Sequence, residues 1–144
     1  MKRLFVFGLS ALLLSACGNN SSASKSENSI SNMKLAIVEL NGTELVNNVN
    51  DSQPQILFIA DSKTVSASVG CNTINATYSE NGNGKLSIEM ALSTKMACPD
   101  ELREDEFVDA FNKIATYSFD GDFVVFIDSE NNVLFKCSKI ENCK

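Results

Sequence analysis

The sequence predicts an α+β domain in which a mainly antiparallel, curved or partly barrel-like sheet of about 7–8 short strands packs against one helix. Short apolar or alternating runs recur along the chain, each closed by a turn rich in Gly, Asn or Asp. One later stretch, about 99–116, changes to helical spacing, and strand-like runs return after it. With 144 residues, 44% of them apolar, the chain has the size of one domain and one core.

The N-terminus is read as an address. Lys2 and Arg3 precede an apolar run from Leu4 to Leu14, which is shorter than the roughly 20 residues a membrane-spanning helix needs and matches the h-region of a cleaved export signal. Leu14-Ser15-Ala16-Cys17 has the pattern of a bacterial lipobox, so residues 1–16 are expected to be removed and Cys17 to carry lipid. Gly18, in place of a retention aspartate, points to an outer-membrane destination facing the periplasm. Residues 17–32 hold a single large apolar side chain, Ile30, and read as a flexible tether, with the folded domain occupying 33–144.

Within that domain Leu35, Ile37 and Leu40 mark a first strand that stops at the turn Asn41-Gly42. Gln55–Ala60 and the alternating Thr64–Val69 form a hairpin across Asp61-Ser62-Lys63. A second hairpin joins Ala76–Ser79 to Lys85–Met90 through Asn81-Gly82-Asn83-Gly84. From Pro99, Leu102, Phe107, Ala110, Phe111 and Ile114 recur on one helical face, while Asp100, Glu101, Glu104 and Asp105 complement the positive end of the helix dipole. Tyr117–Phe119, Phe123–Ile127 and Val133–Cys137 close the domain as a meander. The acidic turns Asp120-Gly121-Asp122 and Asp128 to Asn132 lack the spacing of a calcium loop and are read as turn chemistry.

Composition narrows the function classes. Histidine is absent, which removes Ser-His, Cys-His and His-metal chemistry. The net charge of −6 disfavours nucleic acid, and loss of residues 1–16 leaves the remainder more acidic still. Besides Cys17, the cysteines are Cys71, Cys98, Cys137 and Cys143, an even number in an exported chain. They allow three pairings; loop entropy favours a Cys71–Cys98 bridge, worth about 3–4 kcal/mol, with Cys137–Cys143 as the remaining pair. No Cys-x-x-Cys pair is present, and neither a metal nor a cofactor is expected.

Two clusters, Val69-Gly70-Cys71-Asn72 followed by Tyr78 and Ser93-Thr94-Lys95-Met96-Ala97-Cys98-Pro99, together resemble the META domain family of bacterial envelope lipoproteins, from about Leu35 to Cys137. The resemblance implies a β-rich, partly barrel-like domain without catalytic activity, associated with envelope stress and antibiotic tolerance. It places the family motif on Gly70, Cys71, Asn72, Thr94, Lys95, Met96 and Cys98, in two neighbouring loops. Leu35 stands where the family often has tryptophan, and Thr73 where it often has a basic residue. The expected function is therefore that of a non-enzymatic protein, anchored to the membrane through Cys17, that binds another envelope component. A carrier of a lipid or small apolar ligand is the alternative, suggested by Phe58, Phe107, Phe111, Phe119, Phe123, Phe126 and Phe135.

Overall fold

The computed structural model describes residues 29–45 and 53–140. In chain order its elements are β1 (Lys34–Leu40), β2 (Thr43–Glu44), β3 (Gln55–Ile59), β4 (Thr64–Ser68), β5 (Thr73–Glu80), β6 (Leu86–Ser93), α1 (Glu104–Asn112), β7 (Thr116–Asp120), β8 (Phe123–Ile127) and β9 (Val133–Lys139). Alternation of side chains decides the faces: Val65 and Ala67 of β4, and Ile74, Ala76 and Tyr78 of β5, are buried, with polar residues between them.

The strands form one sheet in the order β6-β5-β4-β3-β1-β9-β8-β7, with the two-residue β2 paired to β1. Every pairing is antiparallel, and the hairpins β3-β4 and β5-β6 and the meander β7-β8-β9 are those the turn residues predict. The first and last strands of the described residues, β1 and β9, meet in the middle, where Leu35 opposes Lys139 and Leu40 opposes Phe135. The sheet curls until its outer edges approach. There the Leu86 N–H donates to the Ala115 carbonyl at 2.9 Å, the Tyr117 N–H donates to the Gly84 carbonyl at 2.7 Å, and Lys85 bridges Thr116. The result is a strongly curled half-barrel packed against one helix.

Aromatic rings occupy the concave interior. Phe58 lies edge-on to Tyr78 at 5.0 Å and stacks with Phe126 at 6.0 Å, and Phe107 of α1 meets Phe135 of β9 at 5.7 Å. Phe58, Phe107, Phe111, Phe126 and Phe135 are all fully buried, each stabilising the fold by about 1.5–3 kcal/mol. Phe119 and Phe123 are only half-buried, under the ammonium groups of Lys139 and Lys136 at 5.2 and 4.5 Å.

Three expectations are revised. The helix expected at 99–116 is split: Asp100–Leu102 is a 3-10 turn, Arg103 takes φ 54°, and only Glu104–Asn112 is α-helical. A residue in the left-handed region ends one helical segment and redirects the next, so apolar spacing continues across Arg103 while the backbone does not. Second, the folded body includes residues assigned to the tether. Ile30 is fully buried and its carbonyl accepts from the Met33 N–H at 3.1 Å, whereas residues 1–28, which hold the signal, Cys17 and the earlier part of the tether, lie outside the described residues. Third, Cys137 is a free thiol facing the core from β9, where burial pushes its pKa up; Cys143, its expected partner, lies outside the described residues. Among the described residues no helix is long and apolar enough to cross a membrane.

Candidate functional site

The two motif loops are covalently joined. After β4 the chain turns through Gly70 at φ 125°, a conformation open to glycine, and presents Cys71 and Asn72 to the irregular run that follows β6. Cys71 and Cys98 form a disulfide with their Cα atoms 6.0 Å apart. Sequence separation is 27, and the expected pairing is the observed one.

Asn72 organises the second loop from both ends of its amide. Its Oδ1 accepts from the Met96 N–H at 2.8 Å and from the Thr94 hydroxyl at 3.0 Å, while its Nδ2 donates to Cys98 Sγ at 3.0 Å and to the Met96 carbonyl at 3.4 Å. Thr94 returns the contact, because its Oγ1 also accepts from the Thr73 N–H at 3.0 Å and its own N–H donates to the Thr73 carbonyl at 3.2 Å. Asparagine can offer two donors and an acceptor within one planar group, which is what this loop uses. Lys95 and Met96 are left exposed on the outer side.

Glu104, the first residue of α1, secures the first loop. Its Oε1 accepts from the Cys71 and Asn72 N–H groups at 3.1 and 3.0 Å. A carboxylate held by consecutive backbone amides is a strong loop tie. Its other oxygen, Oε2, and Nη1 of Arg103 are buried without a hydrogen-bond partner among the described residues. The rest of the Arg103 guanidinium engages Glu106, through Nε at 2.7 Å and Nη2 at 2.5 Å, and Asn41 Nδ2 donates to the same carboxylate at 2.9 Å. These bonds, Arg103 first, hold the Glu106 carboxyl below its usual range.

Two open clefts, each about 430 Å³, flank the Thr94–Cys98 run. One is bounded by Asn72, Cys98, Pro99, Arg103 and Glu104, the other by Lys95, Met96, Asp105, Val108 and Asp109. The two sulfurs and a Glu104 oxygen lie within 4.8 Å of one another, a metal-like spacing, but the sulfurs are taken up by the disulfide.

A second polar cluster was not signalled by any motif. Glu80, the last residue of β5, accepts from Ser29 Oγ at 2.6 Å, Ser31 Oγ at 2.5 Å, Tyr117 Oη at 2.6 Å and the Ile30 N–H at 3.4 Å. Burial raises the Glu80 pKa, but the hydrogen bonds together outweigh it and hold the carboxyl below its ordinary value. Burial and the adjacent carboxylate push the Tyr117 phenol up. The turn after β8 matches the reading as turn chemistry: Asp128 Oδ1 accepts from the Glu130 and Asn132 N–H groups, both at 2.8 Å.

The disulfide and the adjacency of the two loops are those expected, whereas Glu104, expected to complement the helix dipole, also ties the first loop. Nothing local distinguishes Glu104 from Asp100, Glu101 or Asp105; only the tertiary approach of the Gly70–Asn72 turn does.

The family model of the META domain matches residues 28–139 of this chain. No curated protein matches it. Three solved structures share the fold. An NMR structure of a protein is 17% identical at a TM-score of 0.59, covering 74% of this chain and 88% of that one. An NMR structure of a protein from Burkholderia xenovorans is 16% identical at 0.58, over 78% and 85% of the two chains. A crystal structure of a DUF4847 family protein from Bacteroides vulgatus is 18% identical at 0.52, over 74% and 92%.

Proposed function

The chain belongs to the META domain family, and from that premise we propose that it is an exported, lipid-anchored, non-enzymatic domain that acts by binding another component of the cell envelope. The observation that carries the reading is the rigid face made by Gly70–Asn72 and Thr94–Cys98. Two loops from different parts of the chain are fixed to each other by a disulfide and by four hydrogen bonds of one asparagine, yet their outer side is left open and exposed. Pre-organisation of this kind lowers the entropic cost of binding.

Export and anchoring rest on the lipobox at Leu14–Cys17 and the short apolar run before it. A single acyl chain holds a protein only marginally at a membrane, so a multiply acylated Cys17 is the anchor that suits an acidic domain repelled by anionic headgroups. Metabolic labelling with palmitate tests this: label is expected on the full chain and absent from Cys17→Ser, and labelled Cys17→Ser protein would overturn the anchor.

Affinity capture from membranes tests the face. Lys95 is exposed, so Lys95→Ala alters the surface alone, whereas Asn72→Ala also releases the Thr94–Cys98 loop. Both variants are expected to lose a partner that the parent retains. An unchanged partner set in both would remove the face from the binding role. The carrier alternative requires interior space that the buried rings of Phe58, Phe107, Phe111, Phe126 and Phe135 fill.

A further inference from the structure

Strand β6 lies at the edge of the sheet and behaves unlike the other strands. Its first residues are tied to the β7 side through Leu86 and Ala115, but from Ser87 onward its only backbone pairing among the described residues is with β5. Large apolar side chains gather on this stretch and on the loop after it. Met90 is 81% exposed, Leu92 74% and Met96 65%, far above the other exposed large apolar residues, Ile59 and Val133.

Met90 owes its position to a bulge. The β5-β6 register shifts between Asn75 and Thr77, and Met90 takes φ 55°, a left-handed conformation that is costly for a long side chain. Cross-strand pairing places Leu92 opposite Asn75, which points outward from β5, so Leu92 also lies on the outer face. Met96 continues the series along the same run of backbone and borders the cleft shared with Val108 of α1.

The surroundings are acidic. Glu89 precedes Met90 and is exposed, and the cleft beside Met96 is bordered by Glu104, Asp105 and Asp109 against the single cation Lys95. Exposed methionines adapt their shape to varied apolar partners, and a carboxylate border selects a positively charged one.

We propose that the outer side of β6 from Met90, with the loop to Met96 and the adjoining cleft, is a docking surface for a cationic amphipathic peptide segment. The apolar side of that segment lies over Met90 and Leu92 and enters the Met96–Val108 cleft, and its Lys or Arg groups meet Asp105, Asp109 and Glu89. A second copy of this chain is a poor occupant, because it brings the same carboxylates and a net charge of −6, and because the bulge interrupts continuous strand-to-strand pairing. An anionic bilayer is disfavoured by the same charge. The inference deepens the binding-face reading and rests on it where the two share the Thr94–Cys98 loop and the cleft beside Lys95 and Asn72; it adds β6 and α1, is tested at side chains other than Lys95 and Asn72, and holds whether or not Cys17 is acylated.

The test titrates the full chain in detergent with a short synthetic amphipathic peptide of Lys and Leu, and in parallel with its Glu and Leu counterpart, by isothermal titration calorimetry. The Lys-Leu peptide is expected to bind saturably, and to bind more weakly as salt is raised. Met90→Ser with Leu92→Ser, and separately Asp105→Asn with Asp109→Asn, are each expected to lower its affinity by about tenfold. All four side chains are exposed, so unchanged thermal melting shows that the fold is kept. Three results overturn the proposal: no saturable binding of the Lys-Leu peptide, equal binding of the Glu-Leu peptide, or affinity unchanged in both double variants. Concentration-dependent self-association in sedimentation that the Met90→Ser, Leu92→Ser variant abolishes also overturns it, by assigning the surface to a second copy.

Discussion

Glu80 receives hydrogen bonds from Ser29, Ile30, Ser31 and Tyr117, so a single carboxylate ties the entry of the chain to both β5 and β7. Its folded pKa lies below the ordinary 4.5, which means that folding favours the charged form. The corresponding stability is present above that value and is lost as the pH falls through the folded pKa. Glu80→Gln is therefore expected to cost about 1–2 kcal/mol near neutral pH and to flatten the fall in melting temperature between roughly pH 5 and pH 3. Thermal melts followed by circular dichroism across that range check it; Glu106 and Asp128, whose pKa values are also lowered, leave part of the slope in place. The disulfide makes a second prediction at this scale. Reduction, or Cys71→Ala with Cys98→Ala, is expected to lower stability by about 3–4 kcal/mol, read from denaturant unfolding of oxidised and reduced protein. Cys71 and Cys98 were legible in the sequence because loop-closure entropy favours their pairing among the three that the cysteines allow. Glu80 and Glu104 were not, since an acid at a strand end or a helix start looks the same whether it faces water or a loop arriving from elsewhere.

Elements were legible where their chemistry is local. The turns at Asp61 to Lys63 and Asn81 to Gly84, and the alternation in β4, foretell the β3-β4 and β5-β6 hairpins, and Asn41-Gly42 foretells the end of β1, because the signal and the structure occupy the same few residues. The helix was over-extended because apolar periodicity reports which face is buried and not whether each backbone residue is helical; Arg103 keeps the face while leaving the helix. Ile30 was assigned to the tether for the opposite reason. Alone in a polar stretch it has no periodicity to read, and its burial depends on strands that follow it in the chain. Ile30→Ala is expected to destabilise the domain by about 2–4 kcal/mol, and Ile30→Ser by at least as much, although both lie in a segment that composition marks as linker. Denaturant titration decides between a core residue and a tether residue, for a change within about 0.5 kcal/mol would place Ile30 outside the cooperative unit.

The whole molecule is asymmetric in how it closes. Through the middle of the sheet β1 is paired on both sides, with β3 and with β9, so first and last strands support each other along most of their length. Pairing of such distant segments was not legible, because no local signal ranks β9 above any other partner for β1. On the far side, among the described residues, the backbone closes the curl by a short seam, Leu86 to Ala115, Tyr117 to Gly84 and the Lys85–Thr116 bridge, beside which the Tyr117 hydroxyl donates to Glu80 of β5. Gly84 is needed there twice over. It takes φ 78°, and a Cβ at this position would lie 2.6 Å from the Tyr117 carbonyl oxygen, which is backbone and cannot swing away. Gly84→Ala must therefore move the β6 hairpin away from β7. The seam bonds are few and lie at sheet edges, so their opening requires less free energy than global unfolding, whereas β1 and β9 exchange only when the sheet comes apart. Amide hydrogen exchange is expected to show Leu86 and Tyr117 less protected than Ile37 and Cys137 in the parent. In Gly84→Ala protection at Leu86 and Tyr117 is expected to fall further, by about tenfold or more, at a cost to global stability of about 1–3 kcal/mol. Uniform loss of protection over all four amides would mean that the seam is part of the same cooperative unit as the centre of the sheet, and that the curl is held shut by the packing of α1 and the aromatic core rather than by the bonds of Gly84 and Leu86.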